Sequence, residues 1–170
     1  MFTTTDPSKG EAYRLGGLLL MIAIAVIATA LSFEHIGGYT PCPLCLMQRW
    51  AYYASIPALF VAMALSGEMP RLAAALFALV ALAFLANAGL AAYHAGVEWK
   101  FWPGPDTCTG TAALPKQAGD LLAGMEHDVV RCDEAAWRLF GLSFAGWNVF
   151  VSLGLMSLAS KAAAAAANRR

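Results

Sequence analysis

The chain has 170 residues, with 11 Lys plus Arg balanced by 11 Asp plus Glu, so it carries no net charge to offer a nucleic acid. Only 13% of its residues are charged and 59% are hydrophobic, against about 25% charged in an average soluble domain. That balance excludes a water-soluble domain with polar helix faces and points to a chain that lives in a bilayer.

The apolar residues gather in four stretches free of Asp, Glu, Lys, Arg and His: residues 15–33, 50–66, 72–93 and 139–160. A bilayer core takes roughly 20 apolar residues of helix, with about 17 to 25 tolerated. Each stretch predicts one span, and none has the polar face of an amphipathic helix. The expectation is an all-α, integral membrane four-helix bundle occupying residues 1–170 as one domain, with two extracytoplasmic loops at about 34–49 and 94–138. No internal repeat, P-loop or GxGxxG is present. The low-complexity tail "KAAAAAANRR" reads as a helical extension of the fourth span.

The N-terminal "KGEAYR", the apolar run and "ATA" at residues 28–30 also fit a cleaved signal peptide. The run is longer than the roughly 7 to 15 residues of a signal h-region, so a retained span is expected. Positive charge sets the threading. Lys9, Arg14, Arg71, Lys161, Arg169 and Arg170 flank the spans on one side. On the other side, Lys100, Lys116 and Arg131 are diluted among seven acids between Glu98 and Glu134. Both termini are thus predicted cytoplasmic and both loops extracytoplasmic, in a multi-pass topology.

All four cysteines then fall outside: Cys42 and Cys45 in the first loop, Cys108 and Cys132 in the second. Disulfides persist in that compartment and are rare in the cytosol. Four cysteines allow three pairings. Cys42 and Cys45 form a CxxC, whose small ring is readily exchanged, and a cysteine just before a helix feels amide N–H groups that favour its thiolate. Arg49 lies one helical turn beyond Cys45, close enough to serve that sulfur or an anionic ligand; as an interfacial anchor it would simply snorkel to headgroups. Cys108 and Cys132 bracket a segment of the size that a structural disulfide commonly holds. A Cys₄ zinc site would want two CxxC knuckles, and the second pair is widely split, so no metal is expected. A CxxCH haem site fails because Leu46 follows Cys45.

Within the second loop, "LPKQAGDLLAGM" fits a short amphipathic helix on the membrane surface. Asn87 and Asn148 read as hydrogen-bond donors between spans, and Pro57 as a kink in the second helix. Trp50, Trp99, Trp102, Trp137 and Trp147 read as aromatic-belt anchors.

Four spans, "CPLCLMQR" and a second cysteine pair in a long outer loop together resemble the DsbB family of disulfide-bond formation proteins. The likeness runs over nearly the whole chain and includes "CDEAAWRLFGLSFAGW" at residues 132–147. Pro43 stands where the best-known member has a branched apolar residue, a change that leaves both sulfurs in place. The resemblance implies an inner-membrane enzyme that reoxidises a DsbA-like periplasmic thiol oxidase and passes the electrons to the membrane quinone pool, as ubiquinone or menaquinone. The DsbA–DsbB–quinone relay is the known device that keeps the bacterial periplasm oxidising. By resemblance, Cys108 forms the mixed disulfide with the partner, Cys132 attacks Cys42, and Cys45 is left as a thiolate facing the quinone. Arg49 and Gln48 would hold the quinone end of the site, and His94 would lie near it.

The chemistry is consistent with that assignment. DsbA is itself a strong oxidant, at about −120 mV, so its reoxidation needs a still stronger acceptor. A quinone can supply this, and a dithiol at the membrane boundary is within reach of both partners. Two alternatives are a vitamin K epoxide reductase-like enzyme, whose CxxC would sit late in the chain and within a span, and a non-enzymatic membrane scaffold with two structural disulfides.

Overall fold

A computed structural model gives the structure of the chain and describes residues 7–105 and 132–168. Four helices dominate the described residues: α1 (Pro7–His35), α2 (Pro43–Leu65), α3 (Pro70–Glu98) and α4 (Phe144–Ala167). A two-stranded antiparallel ribbon precedes α4, with β1 (Arg138–Leu139) paired to β2 (Leu142–Ser143). The amphipathic segment expected at residues 114–125 lies outside the described residues, as does Cys108.

Local chemistry sets the helix boundaries. Pro43 and Pro70 open α2 and α3, where a proline's missing N–H costs nothing and its fixed φ suits the first turn. Cys42 caps α2, its Sγ accepting the Cys45 N–H at 3.3 Å, and Ser143 caps α4, its Oγ accepting the Gly146 N–H at 3.2 Å. The fourth uncharged stretch begins at residue 139, yet its helix starts only at Phe144. Phe140 (φ 52°) and Gly141 (φ 82°) both adopt left-handed conformations, forming the two-residue hairpin turn that delays the helix.

The helices close into a ring in which α1 and α3 each pack on both α2 and α4, and the α3–α4 contact is the most extensive. Along α3 the buried residues Ala73, Phe77, Val80, Ala81, Phe84, Ala88 and Ala91 repeat at helical spacing. They meet Ser152, Leu155, Ala159, Ala162 and Ala166 of α4, which are buried as well. Small side chains let the backbones approach, the usual basis of helix packing in lipid. The outward face is equally apolar: Met21, Phe60, Leu79, Leu82 and Phe150 are all exposed. A water-facing surface would not carry that burden, whereas hydrocarbon accepts it.

Among the described residues, three helices are long and apolar enough to cross a membrane, within Gly10–His35, Pro70–Glu98 and Phe144–Ala167. α2 has 23 residues, but its first half carries Gln48, Arg49, Tyr52, Tyr53 and Ser55 and is correspondingly less apolar. That polarity gathers at the end of α2 that carries Cys42 and Cys45.

Candidate active site

The CxxC sits at the start of α2. Cys42 precedes the first turn and is buried; Cys45 lies inside that turn and is half-buried. Both are free thiols with sulfurs 3.1 Å apart. The Cys45 side chain donates to Cys42, which together with His94 and the Cys45 backbone N–H outweighs burial and brings the Cys42 thiol from 9.0 down to about 4. Cys45 is pushed the other way, upward, because it gives its proton to that bond and is itself desolvated. The reduced pair therefore shares one proton, with the negative charge on Cys42.

His94, near the end of α3, is fixed by a chain of side-chain hydrogen bonds. Tyr52 O–H donates to Asn148 Oδ1 at 2.5 Å, and Asn148 Nδ2 donates to Gln48 Oε1 at 2.7 Å. Gln48 Nε2 is thereby turned to His94 Nδ1 at 2.9 Å. An amide nitrogen can only donate, so Nδ1 accepts and the imidazole proton resides on Nε2. Nε2 lies 3.6 Å from Cys42 Sγ and 3.8 Å from Glu98 Oε1. Asn87 of α3 adds a 3.0 Å bond to Ser152 of α4, so both span asparagines bridge helices.

Cys132 is brought to the same place. It is buried, packs with Cys42 and Leu44, and its sulfur lies within 4.8 Å of Cys42 Sγ and a His94 ring nitrogen. It is disulfide-bonded, to neither Cys42 nor Cys45. Held in a disulfide, that sulfur offers no thiolate to a metal ion. Next to it, Asp133 accepts from Lys100 Nζ at 2.6 Å. Lys100, in a left-handed conformation just past α3, thus ties the Cys132 segment to the end of that helix.

On the other side of Cys45 opens a cavity of about 420 Å³ between α1, α2 and α4. Ile22, Val26, Phe33, Phe144 and Val151 make its walls apolar, while Cys45, Gln48, Arg49 and Asn148 give it one polar end. Cys42 and His94 are not among its lining residues. Arg49 is ion-paired with Glu34 of α1, which also lines the cavity. Trp137 stacks on the cavity-lining Phe144 (5.0 Å, 24°) and touches Phe33 (5.6 Å), and its neighbour Ala136 lines the cavity itself.

Residues 13–162 match the family model described as Disulfide bond formation protein DsbB. The chain belongs to the DsbB family. Among its curated relatives, Disulfide bond formation protein B of Marinobacter nauticus is 30% identical over 142 residues, covering 81% of this chain and 83% of that protein. The protein of the same name from Methylococcus capsulatus is 29% identical over 158 residues (89% and 92%), and that of Aromatoleum aromaticum 28% over 137 (77% and 80%). No solved structure matches the chain. As a DsbB-family protein with several membrane-crossing helices, the chain is a multi-pass membrane oxidoreductase of disulfide-bond formation. The family match leaves the vitamin K epoxide reductase-like and scaffold alternatives without support.

Sequence reasoning had not singled out Glu34 or Glu98. Each is an acid at the very end of a long apolar run, a position where an uncompensated carboxylate is costly, and that placement was the available signal.

Proposed function

We propose that this DsbB-family protein reoxidises a DsbA-like periplasmic thiol oxidase and delivers the electrons to a membrane quinone, ubiquinone or menaquinone, bound in the cavity beside Cys45. The observation that carries this reading is the division of labour between the two sulfurs of the CxxC. Cys42 faces the Cys132 sulfur, and Cys45 faces the apolar cavity. One sulfur is thus set to exchange with the second loop and the other to meet a lipid-soluble partner.

The cavity's chemistry fits a quinone. Its apolar walls suit a ring with an isoprenoid tail, and its polar end offers the Arg49 guanidinium and the amides of Gln48 and Asn148 to a ring oxygen. A bound quinone would supply a two-electron acceptor stronger than the thiol oxidase. The remaining steps belong to this chain. Cys108 takes the partner's attack and Cys132 leaves. Cys132, lodged beside Cys42, then attacks that sulfur, so that Cys45 departs as a thiolate toward the cavity. The His94 Nε2–H is placed to hydrogen-bond to sulfur during the exchange, and so acts at Cys42 rather than at the cavity wall.

This chemistry requires both loops to face the periplasm and both termini the cytoplasm of the inner membrane, as the Lys and Arg distribution favours. The first span would be retained, and the four spans would make one membrane domain. The deciding experiment incubates the purified protein with a short-chain quinone and a reduced thioredoxin-fold partner. Partner oxidation should depend on the quinone and be abolished by Cys45→Ser. Activity that survives substitution of each cysteine in turn would rule the relay out.

A further inference from the structure

Glu98 is a carboxylate at the C-terminal end of α3, only 9% exposed, on the side of the CxxC away from the cavity. Its Oε2 accepts the Ser143 hydroxyl in a short hydrogen bond, and its Oε1 lies 3.8 Å from His94 Nε2. The same Nε2 is 3.6 Å from Cys42 Sγ. Because Gln48 fixes the imidazole proton on Nε2, that one N–H has two competing acceptors, a thiolate and a carboxylate. The charged and titratable groups facing Glu98 are His94 on its own helix, Cys42 and Cys45 at the start of α2, and Arg138 on β1. Ser143 on β2 is the remaining polar contact.

Two negative charges this close in a dry pocket disfavour each other. We propose that, when a dithiol reduces the Cys42–Cys45 disulfide, Glu98 takes up the released proton that Cys42 leaves untaken by remaining a thiolate, the His94 N–H turning from the carboxylate to the sulfur as it does so. The proposal rests on the CxxC being the pair that cycles, as in the function proposed above. In the oxidised protein neither sulfur carries charge, and Glu98 is ionised with the His94 N–H directed to it. Two electrons from a dithiol break the S–S bond, and the dithiol becomes a disulfide and releases two protons. Cys45 takes one as its thiol, Cys42 remains a thiolate, and Glu98 takes the other. The net charge of the site is the same before and after. Burial already pushes the Glu98 carboxyl upward, against the opposing Ser143 hydrogen bond, in the direction this role needs. Glu98 reaches the reacting sulfur only through His94 and is therefore a positioning residue.

Redox-difference infrared spectroscopy of the full-length protein, oxidised against dithiothreitol-reduced at neutral pH, tests this directly. Reduction should bring up the C=O band of a protonated carboxylic acid, which shifts in D₂O and on carboxyl-¹³C labelling of glutamate. The band should vanish in Glu98→Gln, which keeps an oxygen for Ser143 to donate to. Proton balance gives a second readout. Oxidation of dithiothreitol releases two protons, and the ordinary disulfide at Cys132 takes up both when it is reduced, so wild type should leave the medium unchanged, whereas Glu98→Gln should release one proton per CxxC reduced. A wild-type spectrum without a carboxyl band, while thiol counting shows the CxxC reduced, overturns the proposal, as does a band that persists in Glu98→Gln. Failure of the Cys42 and Cys45 thiols to appear on reduction would instead overturn the redox role of the pair, and this proposal with it.

Discussion

Glu34, the penultimate residue of α1, is ion-paired with Arg49 in the second turn of α2, and both line the cavity into which Cys45 faces. A quinone bound there, as proposed, would have a ring oxygen competing with a carboxylate for the guanidinium. Hydrogen bonds to charged groups are worth about 1.5–3 kcal/mol, and each 1.4 kcal/mol is about tenfold in affinity. Arg49→Ala should raise the apparent quinone KM by roughly ten- to a hundredfold and leave partner recognition unchanged. Glu34→Gln should lower that KM several-fold. Steady-state kinetics over a quinone series checks both. Equal quinone dependence in wild type and Arg49→Ala would remove Arg49 from the site.

The CxxC should titrate as a unit with one early and one late proton. Cys42 is held near 4 by the Cys45 side-chain bond and His94, while Cys45 is pushed above the ordinary thiol range by its bond to Cys42 and by burial. Ultraviolet absorbance of the reduced protein should show one thiolate per molecule from about pH 5 to 8, lost as pH falls through about 4. A depressed pKa favours the folded state progressively as pH rises from about 4 toward the unfolded value near 9.0. The stability advantage of reduced wild type over reduced Cys42→Ala should widen with pH across that window, as read by thermal unfolding in detergent.

Much of the bundle was legible because lipid makes simple demands: uncharged runs of spanning length became α1, α3 and α4. The boundaries were less legible. α2 begins at Pro43, well before its uncharged run, because helix geometry tolerates Gln48 and Arg49 wherever a neighbouring helix supplies partners. The hairpin before α4 depends on two left-handed residues, of which only Gly141 announces itself. In the site, the CxxC and Arg49 were visible as a spacing. The pairing of Arg49 with Glu34, and of Glu98 with Ser143, joins residues 15 and 45 positions apart, which no local pattern records.

Gly96 shows how closely the end of α3 is packed. A Cβ there would lie 2.1 Å from Cζ2 of Trp102. That indole cannot swing away cheaply, because its Nε1 donates to Tyr93 O at 3.0 Å and its ring stacks on Tyr93 at 6.0 Å and 12°. Gly96→Ala should cost about 1–3 kcal/mol, the usual range for overpacking. It should also alter tryptophan fluorescence and, by disturbing the turn that carries His94 and Glu98, slow thiol exchange. Gly89→Ala, where nothing lies within 4 Å of the new methyl, is the control and should be neutral or slightly stabilising.

Gln48 and Asn148 join α2 to α4 and set the tautomer of a histidine on α3, so their contributions should not add. Removing either alone strands a buried partner: without Gln48, both the Asn148 N–H and His94 Nδ1 lose their bonds, and without Asn148, the Gln48 amide loses the contact that orients it. Each stranded group costs about 1–3 kcal/mol. With both truncated, the Asn148–Gln48 contact is absent on both sides and that part of the cost is counted once. A double-mutant cycle of Gln48→Ala and Asn148→Ala, measured by unfolding in mixed micelles, should give a coupling of about 0.5–3 kcal/mol. Tyr52→Phe, which removes only the outermost donor of the chain at Asn148 Oδ1, should lose less than either single truncation. Strict additivity in the cycle would mean that the network does not hold His94 in place, and the assignment of its proton to Nε2 would fall with it.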